Sequence, residues 1–281
     1  MRKTKVIATL SSKLSYEQIK DMADYFDCVR INLSHGTYED YEKIIKYIRQ
    51  IELEKSRYIP VLFDISGPKI RVTNVETTLE VKKKSNLILS KDPLSRVNDN
   101  YITINFPEII DHLKIGDRVY IDDGKIRFKV LDIKKNQVII EALTDGVIKK
   151  NKGLNFPDTD LPLPSLTEKD LKDLDFISNL EPDFIALSFV RKKEDIINLK
   201  EELAKRKIST AIIAKIERPE VVKALEDVIE ISDGVMVARG DLGIELSLEK
   251  VPIIQKKIVE ICKNKGKKSF RKRNSVLLWF N

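Results

Sequence analysis

Two short runs carry side chains that could do chemistry together. Ala214-Lys215-Ile216-Glu217 and Ala238-Arg239-Gly240-Asp241-Leu242-Gly243 each close an apolar, strand-like segment. Between them they offer one ammonium and two carboxylates, the set that a magnesium-dependent phosphoryl transfer uses. Side chains on a strand alternate between faces, so Lys215 and Glu217, two apart, point the same way while Ile216 faces away. Each run alone also has a plain structural reading. A Lys-x-Glu at a strand end is often a surface ion pair worth ~0–1 kcal/mol, and Arg239–Gly243 reads equally as a turn.

The elements that must position these groups alternate along the chain. Lys5–Leu10, Cys28–Leu33, Ile59–Ile65, Asp183–Phe189, Thr210–Glu217 and Gly234–Ala238 read as fully buried strands. Amphipathic helices lie between them, with Ser15 before Tyr16–Tyr25, Thr37 before a run to Glu54, and Thr167-Glu-Lys-Asp170 as a capping-box entry. Pro219 sits in a first helical turn, where its missing N–H is harmless. Repeated strand–helix units predict a parallel sheet with helices outside, either a (β/α) barrel or an open doubly wound sheet.

From roughly Arg71 to Asp160 the rhythm changes to short alternating strands: Asn86–Ser90, Tyr101–Asn105, Arg118–Ile121, Lys125–Val130 and Gln137–Leu143. Asp123-Gly124 is a hairpin signal, because a tight primed turn needs positive φ and glycine supplies it. This predicts a small all-β domain inserted after the third strand. It is placed to close as a lid over the strand C-termini, or to be a decoration without a catalytic role.

Seven motifs in order carry a family resemblance: Arg30-Ile-Asn-Leu-Ser-His-Gly36, Phe63-Asp-Ile-Ser-Gly-Pro-Lys-Ile-Arg71, Tyr120-Ile-Asp-Asp-Gly124, Lys152-Gly-Leu-Asn-Phe-Pro157, Asp183-Phe-Ile-Ala-Leu-Ser-Phe-Val-Arg191, Lys215-Ile-Glu217 and Ala238–Gly243. Over about residues 3 to 266 the chain resembles the pyruvate kinases. The resemblance implies an α/β (β/α)8 TIM barrel with an all-β barrel domain inserted after strand three. It implies transfer of the phosphoryl group of phosphoenolpyruvate to ADP, giving pyruvate and ATP in glycolysis. The expected division is 1–70 and 161–266 for the barrel, 71–160 for the inserted lid, and 267–281 for a basic tail outside the family pattern.

By this resemblance Lys215 meets the transferring phosphoryl group as the catalytic lysine, and Glu217 and Asp241 hold Mg2+ (or Mn2+). A fixed cation in a dry site stabilises the spreading negative charge, and hard carboxylate oxygens suit an ion that keeps some of its waters. Arg30 is implied at the substrate phosphate, the backbone at Gly240 and Asp241 at the substrate carboxylate, and Ser188 adds a hydrogen bond. His35, Arg71 and Lys152 match nucleotide-side positions. Asn32, Ser34, Asp64 and the Ile65 carbonyl match the ligands of K+. A family homotetramer in the cytoplasm is implied, with no membrane or nucleic-acid partner.

Three departures qualify the resemblance. Potassium-dependent members usually carry an acid after Gly-Pro, whereas Gly67-Pro68 is followed here by Lys69, and Ile65-Ser66 replace the threonine and lysine common in that branch. A lysine ammonium can supply the unit charge of the monovalent ion, so weak or no potassium activation is expected. Thr9-Leu-Ser-Ser-Lys13 lacks the Gly-Pro expected after the first strand. Past Gly266 the family continues with a seventh strand, whose loop bears a catalytic threonine, then an eighth strand and a C-terminal domain. Lys267–Asn281 shows none of that and reads as a frame change or a truncated gene product. The expectation is six strands of eight, an unclosed barrel with edges at the first and sixth strands, and an isolated chain whose turnover is impaired.

Composition bounds the rest. The 281 residues are 42% hydrophobic and 34% charged, an ordinary globular composition that can bury a large core. Cys28 and Cys262 stand far apart without a C-x-x-C pair, which argues against a disulfide framework or zinc site and fits a reduced cytosolic compartment. The formal net charge of +7 matches the seven basic residues of Lys263–Arg273, so the basicity belongs to a tail that is either solvated or a polyanion patch. Two other functions stay open: a non-catalytic fragment with a polyanion-binding tail, and a lyase or aldolase of the phosphoenolpyruvate-binding barrel group.

Overall fold

The computed structural model describes residues 4–92, 100–246, 248–273 and 276–280. The chain divides into two units, Met1–Pro68 with Pro164–Leu242 and Glu249–Asn281, and Lys69–Leu163 with Gly243–Leu248.

The first unit begins with β1 (Lys5–Thr9), α1 (Tyr16–Met22), β2 (Cys28–Asn32), α2 (Tyr38–Lys55) and β3 (Val61–Ile65). The second contains β4 (Thr78–Val81), β5 (Asn86–Ser90), β6 (Tyr101–Ile102), β7 (Arg118–Ile121), β8 (Ile126–Lys134), β9 (Gln137–Ala142), β10 (Gly146–Lys149) and β11 (Leu154–Asn155). The first then resumes with α3 (Glu168–Ile177), β12 (Phe184–Leu187), α4 (Lys193–Lys205), β13 (Ala211–Ile216), α5 (Pro219–Lys223), α6 (Leu225–Ile231) and β14 (Gly234–Val237). After α7 (Arg239–Glu245) come α8 (Val251–Asn264), β15 (Lys268–Arg273) and β16 (Val276–Phe280).

Strands β2, β3, β12, β13 and β14 are rich in β-branched and apolar residues because both faces are covered, as parallel strands require. Helices α1, α2 and α3 each start on a full capping box, at Ser15, Thr37 and Thr167, which satisfies two of the orphan N–H groups of the first turn. Neighbouring strands of the order β1-β2-β3-β12-β13-β14-β15 pair in parallel.

The expected open seam is absent. Strands β15 and β16 close the barrel, β15 running parallel to β14, and β16 antiparallel to both β15 and β1. An eighth parallel strand would need a crossover of a dozen or more residues, and only positions 274–275 separate β15 from β16. The barrel is thus incomplete as a (β/α)8 fold, with seven parallel strands and one antiparallel closure, yet it has no free edge. The basic run is corrected with it. Lys268–Arg273 is a barrel strand rather than a tail, and Phe270, 1% exposed, enters the core. Alternation carried that signal, since Phe270 stands between polar neighbours at the period of a strand.

In the second unit β11-β7-β8-β9-β5-β6 form one sheet and β10-β4 a second, around Val119, Phe128, Ile140 and Phe156. Asp123 and Gly124, between β7 and β8, take φ of 56° and 79°, as the hairpin signal requires. Strands β4, β10 and β11 were not expected. They are two to four residues long with exposed charged positions such as Glu80 and Lys149, too short for alternation to register.

Candidate active site

Inside the barrel, Ile7, Cys28, Leu62, Ala186, Ile213, Met236 and Phe270 form an apolar layer, one residue from each parallel strand. Two residues further along, alternation brings each strand back to the interior, and the side chains change type. Thr9, Arg30, Asp64, Ser188, Lys215 and Ala238 occupy those positions. A polar layer therefore lies directly above an apolar plug, toward the strand C-termini.

The polar layer is one hydrogen-bonded network. Lys215 Nζ lies 3.0 Å from Asp64 Oδ1 and 2.9 Å from Glu217 Oε1, and donates to Ser188 Oγ at 2.7 Å. Ser188 Oγ stands 2.7 Å from the Ile65 carbonyl oxygen and 3.2 Å from Asp64 Oδ1. Arg30 Nε donates to Asp64 Oδ2 at 2.7 Å, and Arg30 Nη1 donates to Thr9 Oγ1 at 2.9 Å. Arg30, Asp64, Lys215 and Glu217 are each at most 5% exposed. Two cations and two anions cancel, the condition under which charge is tolerated away from water. A pair of this kind is no surface ion pair.

Burial pushes the Asp64 carboxyl up, but the Lys215 ammonium and the Arg30 guanidinium outweigh it and bring the carboxyl down to about 2. Burial works against the charged form of Lys215 as well, and the Asp64 and Glu217 carboxylates reverse it, so the ammonium is raised above its ordinary value. At neutral pH both are charged.

Glu217, one residue beyond β13, is fixed at both oxygens. Oε1 faces Lys215, and Oε2 accepts the Phe189 backbone N–H at 2.9 Å. Phe189 has a φ of 56°, a left-handed backbone that is an outlier for a bulky side chain. Gly240 and Asp241 lie in the first turn of α7, just past β14. A Cβ on Gly240 would meet no atom within 4 Å, so the backbone there is open to approach.

The other expected positions fall into two groups. Asn32 and Ser34 lie at the end of β2, where Asn32 Oδ1 accepts the Ser34 N–H at 3.1 Å and Ser34 Oγ meets Ser66 Oγ at 2.9 Å. His35 is exposed on the same loop. Arg71, Lys152 and Lys69 belong to the second unit. There Arg71 bridges to Gly153 and donates from Nη1 to the Asn151 carbonyl at 2.9 Å, while Lys152 pairs with Asp122 at 2.6 Å. The Lys69 side chain runs across Gly153, whose added Cβ would stand 2.9 Å from Lys69 Cε.

Asp64 is the centre that sequence reasoning undervalued, having entered only as a K+ ligand position. Its signal was available: a charged residue in the wholly buried strand Val-Leu-Phe-Asp-Ile must be paired. Among the described residues, no group of three or more His, Cys, Asp or Glu is disposed to hold a metal, and no helix is long and apolar enough to cross a membrane. Both cysteines are free and buried, and burial raises both thiols, Cys262 to about 11.

A barrel of parallel strands with a second all-β unit set into the chain after β3, and a buried lysine–carboxylate centre at the strand C-termini, defines the class as a parallel-strand α/β barrel with an inserted all-β unit. The family model described as "Pyruvate kinase, barrel domain" matches residues 1–271, and the chain belongs to that family. It is 36% identical over 271 residues to a pyruvate kinase of Clostridium perfringens (strain 13 / Type A), covering 95% of this chain and 57% of the relative. Similarity to a pyruvate kinase of Staphylococcus aureus (strain MRSA252) is 34% over 272 residues, covering 95% and 46%. For Corynebacterium glutamicum it is 35% over 269 residues, covering 95% and 56%. The chain spans about half the length of these curated relatives. The family match runs through Arg271, so β15 begins inside it, past the expected limit at Gly266.

Proposed function

We propose that this chain carries the phosphoryl-transfer centre of a pyruvate kinase, acting on phosphoenolpyruvate and ADP. The observation that carries the reading is Lys215: a fully charged ammonium, buried in the barrel and held by Asp64, Glu217 and Ser188. Such a group needs no reorganisation when negative charge spreads over a transferring phosphoryl group, and the dry surroundings strengthen its effect. Arg30, fixed by Asp64 and Thr9, serves the substrate phosphate. The N–H groups at Gly240 and Asp241 serve the substrate carboxylate, and Ser188 orients the lysine.

Glu217 and Asp241 are the residues that would hold Mg2+ or Mn2+. They fit: both are hard carboxylate donors at the ends of adjacent strands β13 and β14, and two such ligands suit an ion that fills its shell with water and substrate oxygens. When bound, the ion would draw negative charge from the substrate oxygens. His35, Arg71 and Lys152 are assigned to the nucleotide phosphates. By the resemblance, Asn32, Ser34, Asp64 and Ile65 match the monovalent-ion positions, and Lys69 after Gly67-Pro68 is the departure from which weak potassium activation is expected.

A lyase or aldolase of the wider barrel group is set aside by the family match. Of the second rival, a non-catalytic fragment with a polyanion-binding tail, the free tail loses its support because Lys268–Arg273 is paired into the barrel, and the assay below decides catalysis. The test is ATP formation by the purified chain from phosphoenolpyruvate and ADP, with and without Mg2+. Metal-dependent ATP formation is expected, and its absence in a folded chain that binds neither substrate would overturn the reading.

A further inference from the structure

Helix α3 does more than cap itself. In a capping box the acid at the third position normally bonds back to the helix start and faces water. Asp170 does the first: its Oδ2 accepts the Thr167 N–H at 2.8 Å and the Thr167 hydroxyl at 2.6 Å. But it is 0% exposed, and its second oxygen, Oδ1, accepts the Gly67 N–H at 3.0 Å, just past β3. One carboxylate thus joins a helix start to a barrel loop.

Gly67 is where that tie has consequences. Its φ of 63° lies in the left-handed region, and an added Cβ would stand 2.9 Å from the Ser188 carbonyl oxygen and 3.2 Å from the Phe189 ring. Two left-handed residues from neighbouring strand ends, Gly67 and Phe189, are therefore packed against each other. Phe189 donates its N–H to Glu217 Oε2 at 2.9 Å, and the Ser188 side-chain Oγ accepts from Lys215 Nζ at 2.7 Å. A bulky residue holds left-handed backbone only where its surroundings impose it. The same helix turn also ties down the loop after β2, through Lys169 Nζ to the Leu33 carbonyl at 2.7 Å.

We infer that Asp170 is a positioning residue of the candidate active site, acting through Gly67 and the Ser188-Phe189 turn to orient Glu217 and Lys215. The inference rests on the functional reading above for its consequence in metal binding, but the coupling itself does not. Loss of the Asp170–Gly67 bond frees Gly67 to move from Ser188, relaxes Phe189, and loosens the N–H that fixes Glu217.

The experiment compares three variants of the full chain. Asp170→Asn disturbs both the cap and the Gly67 tie. Thr167→Ala weakens the cap and removes the hydroxyl bond to Asp170 Oδ2, but leaves the Oδ1 bond to Gly67 in place. Gly67→Ala leaves the cap intact and pushes on Ser188 from the other side, which covers the case in which Asp170→Asn fails to fold. Two quantities are read at a temperature where each variant is folded: Mn2+ affinity by electron paramagnetic resonance, and hydrogen exchange at the Gly67 and Phe189 amides. Asp170→Asn and Gly67→Ala are expected to weaken Mn2+ binding about tenfold and to speed exchange at Phe189, while Thr167→Ala stays near the parent in both. Equal effects of all three, or faster exchange at Gly67 with Phe189 unchanged, would overturn the inference. A parent chain that binds no Mn2+ would count against the functional reading, and exchange at Phe189 would still decide the coupling.

Discussion

Lys215 and Asp64 meet at 3.0 Å across the barrel interior, one from β13 and one from β3, with β12 between them in the sheet order. Each is the inward residue two positions above the apolar layer, and Arg30 and Glu217 complete a charge-neutral set of four. Replacing Lys215 by Met leaves two buried carboxylates to one guanidinium. Breaking such a set by removing one partner costs about 3–5 kcal/mol, so a lower midpoint in urea unfolding is expected for Lys215→Met. An unchanged midpoint would mean that the set is hydrated.

The acid limb of stability is expected to depend on Asp64. Its folded value, about 2, lies below the ordinary carboxylate value, so the stability it contributes is complete above about pH 4 and is lost as pH falls toward 2. Asp64→Asn should flatten the stability profile between pH 4 and 2 relative to the parent, as read by circular dichroism at fixed urea. Lys215 has the opposite sign. Its raised value means that its contribution is complete below the ordinary lysine value and fades only above it, so the titration of Lys215 should leave the profile flat near neutrality.

Phe270 tests the closure of the barrel. It packs edge-on against Phe184 at 6.4 Å between ring centroids and is 1% exposed. Phe270→Ala should cost about 3–5 kcal/mol in unfolding free energy. A cost under 1 kcal/mol would place β15 outside the core.

Lys69 predicts the response to monovalent ions. Activity measured with KCl against a larger inert cation, at constant ionic strength, should change little, and Lys69→Glu should create a potassium requirement. A large requirement in the parent chain would refute the substitution of charge.

Much of the fold was legible because its signals are local. Six of the seven parallel strands, β15 excepted, read as apolar runs ending within one or two residues of their observed bounds, and the capping boxes at Ser15, Thr37 and Thr167 mark helix starts by side-chain chemistry alone. The Lys215–Glu217 contact was legible from strand alternation. The closure by β15 and β16 was not, because its strands are held by pairing with β14 and β1, and charge counting concealed the alternation at Phe270. Asp64 and Asp170 were undervalued for a related reason. Their partners lie 151 and 103 positions away in sequence, beyond any spacing rule.

The sequence past β15 gives the proposed reaction a further expectation. The family likeness puts a threonine beyond the seventh strand, and positions 274–275 hold Asn-Ser. Enzyme-catalysed exchange of the methyl protons of pyruvate should therefore be reduced more than ATP formation. Exchange at a rate matching ATP formation would contradict this.

The most direct measurement is single-turnover phosphoryl transfer from phosphoenolpyruvate to ADP, in the presence of Mg2+, by the parent chain and by Lys215→Met under conditions where both are folded. Removing a preorganised charge from the centre should slow transfer by about 10²–10³-fold. Transfer at the parent rate without the Lys215 ammonium would contradict its assignment as the catalytic cation.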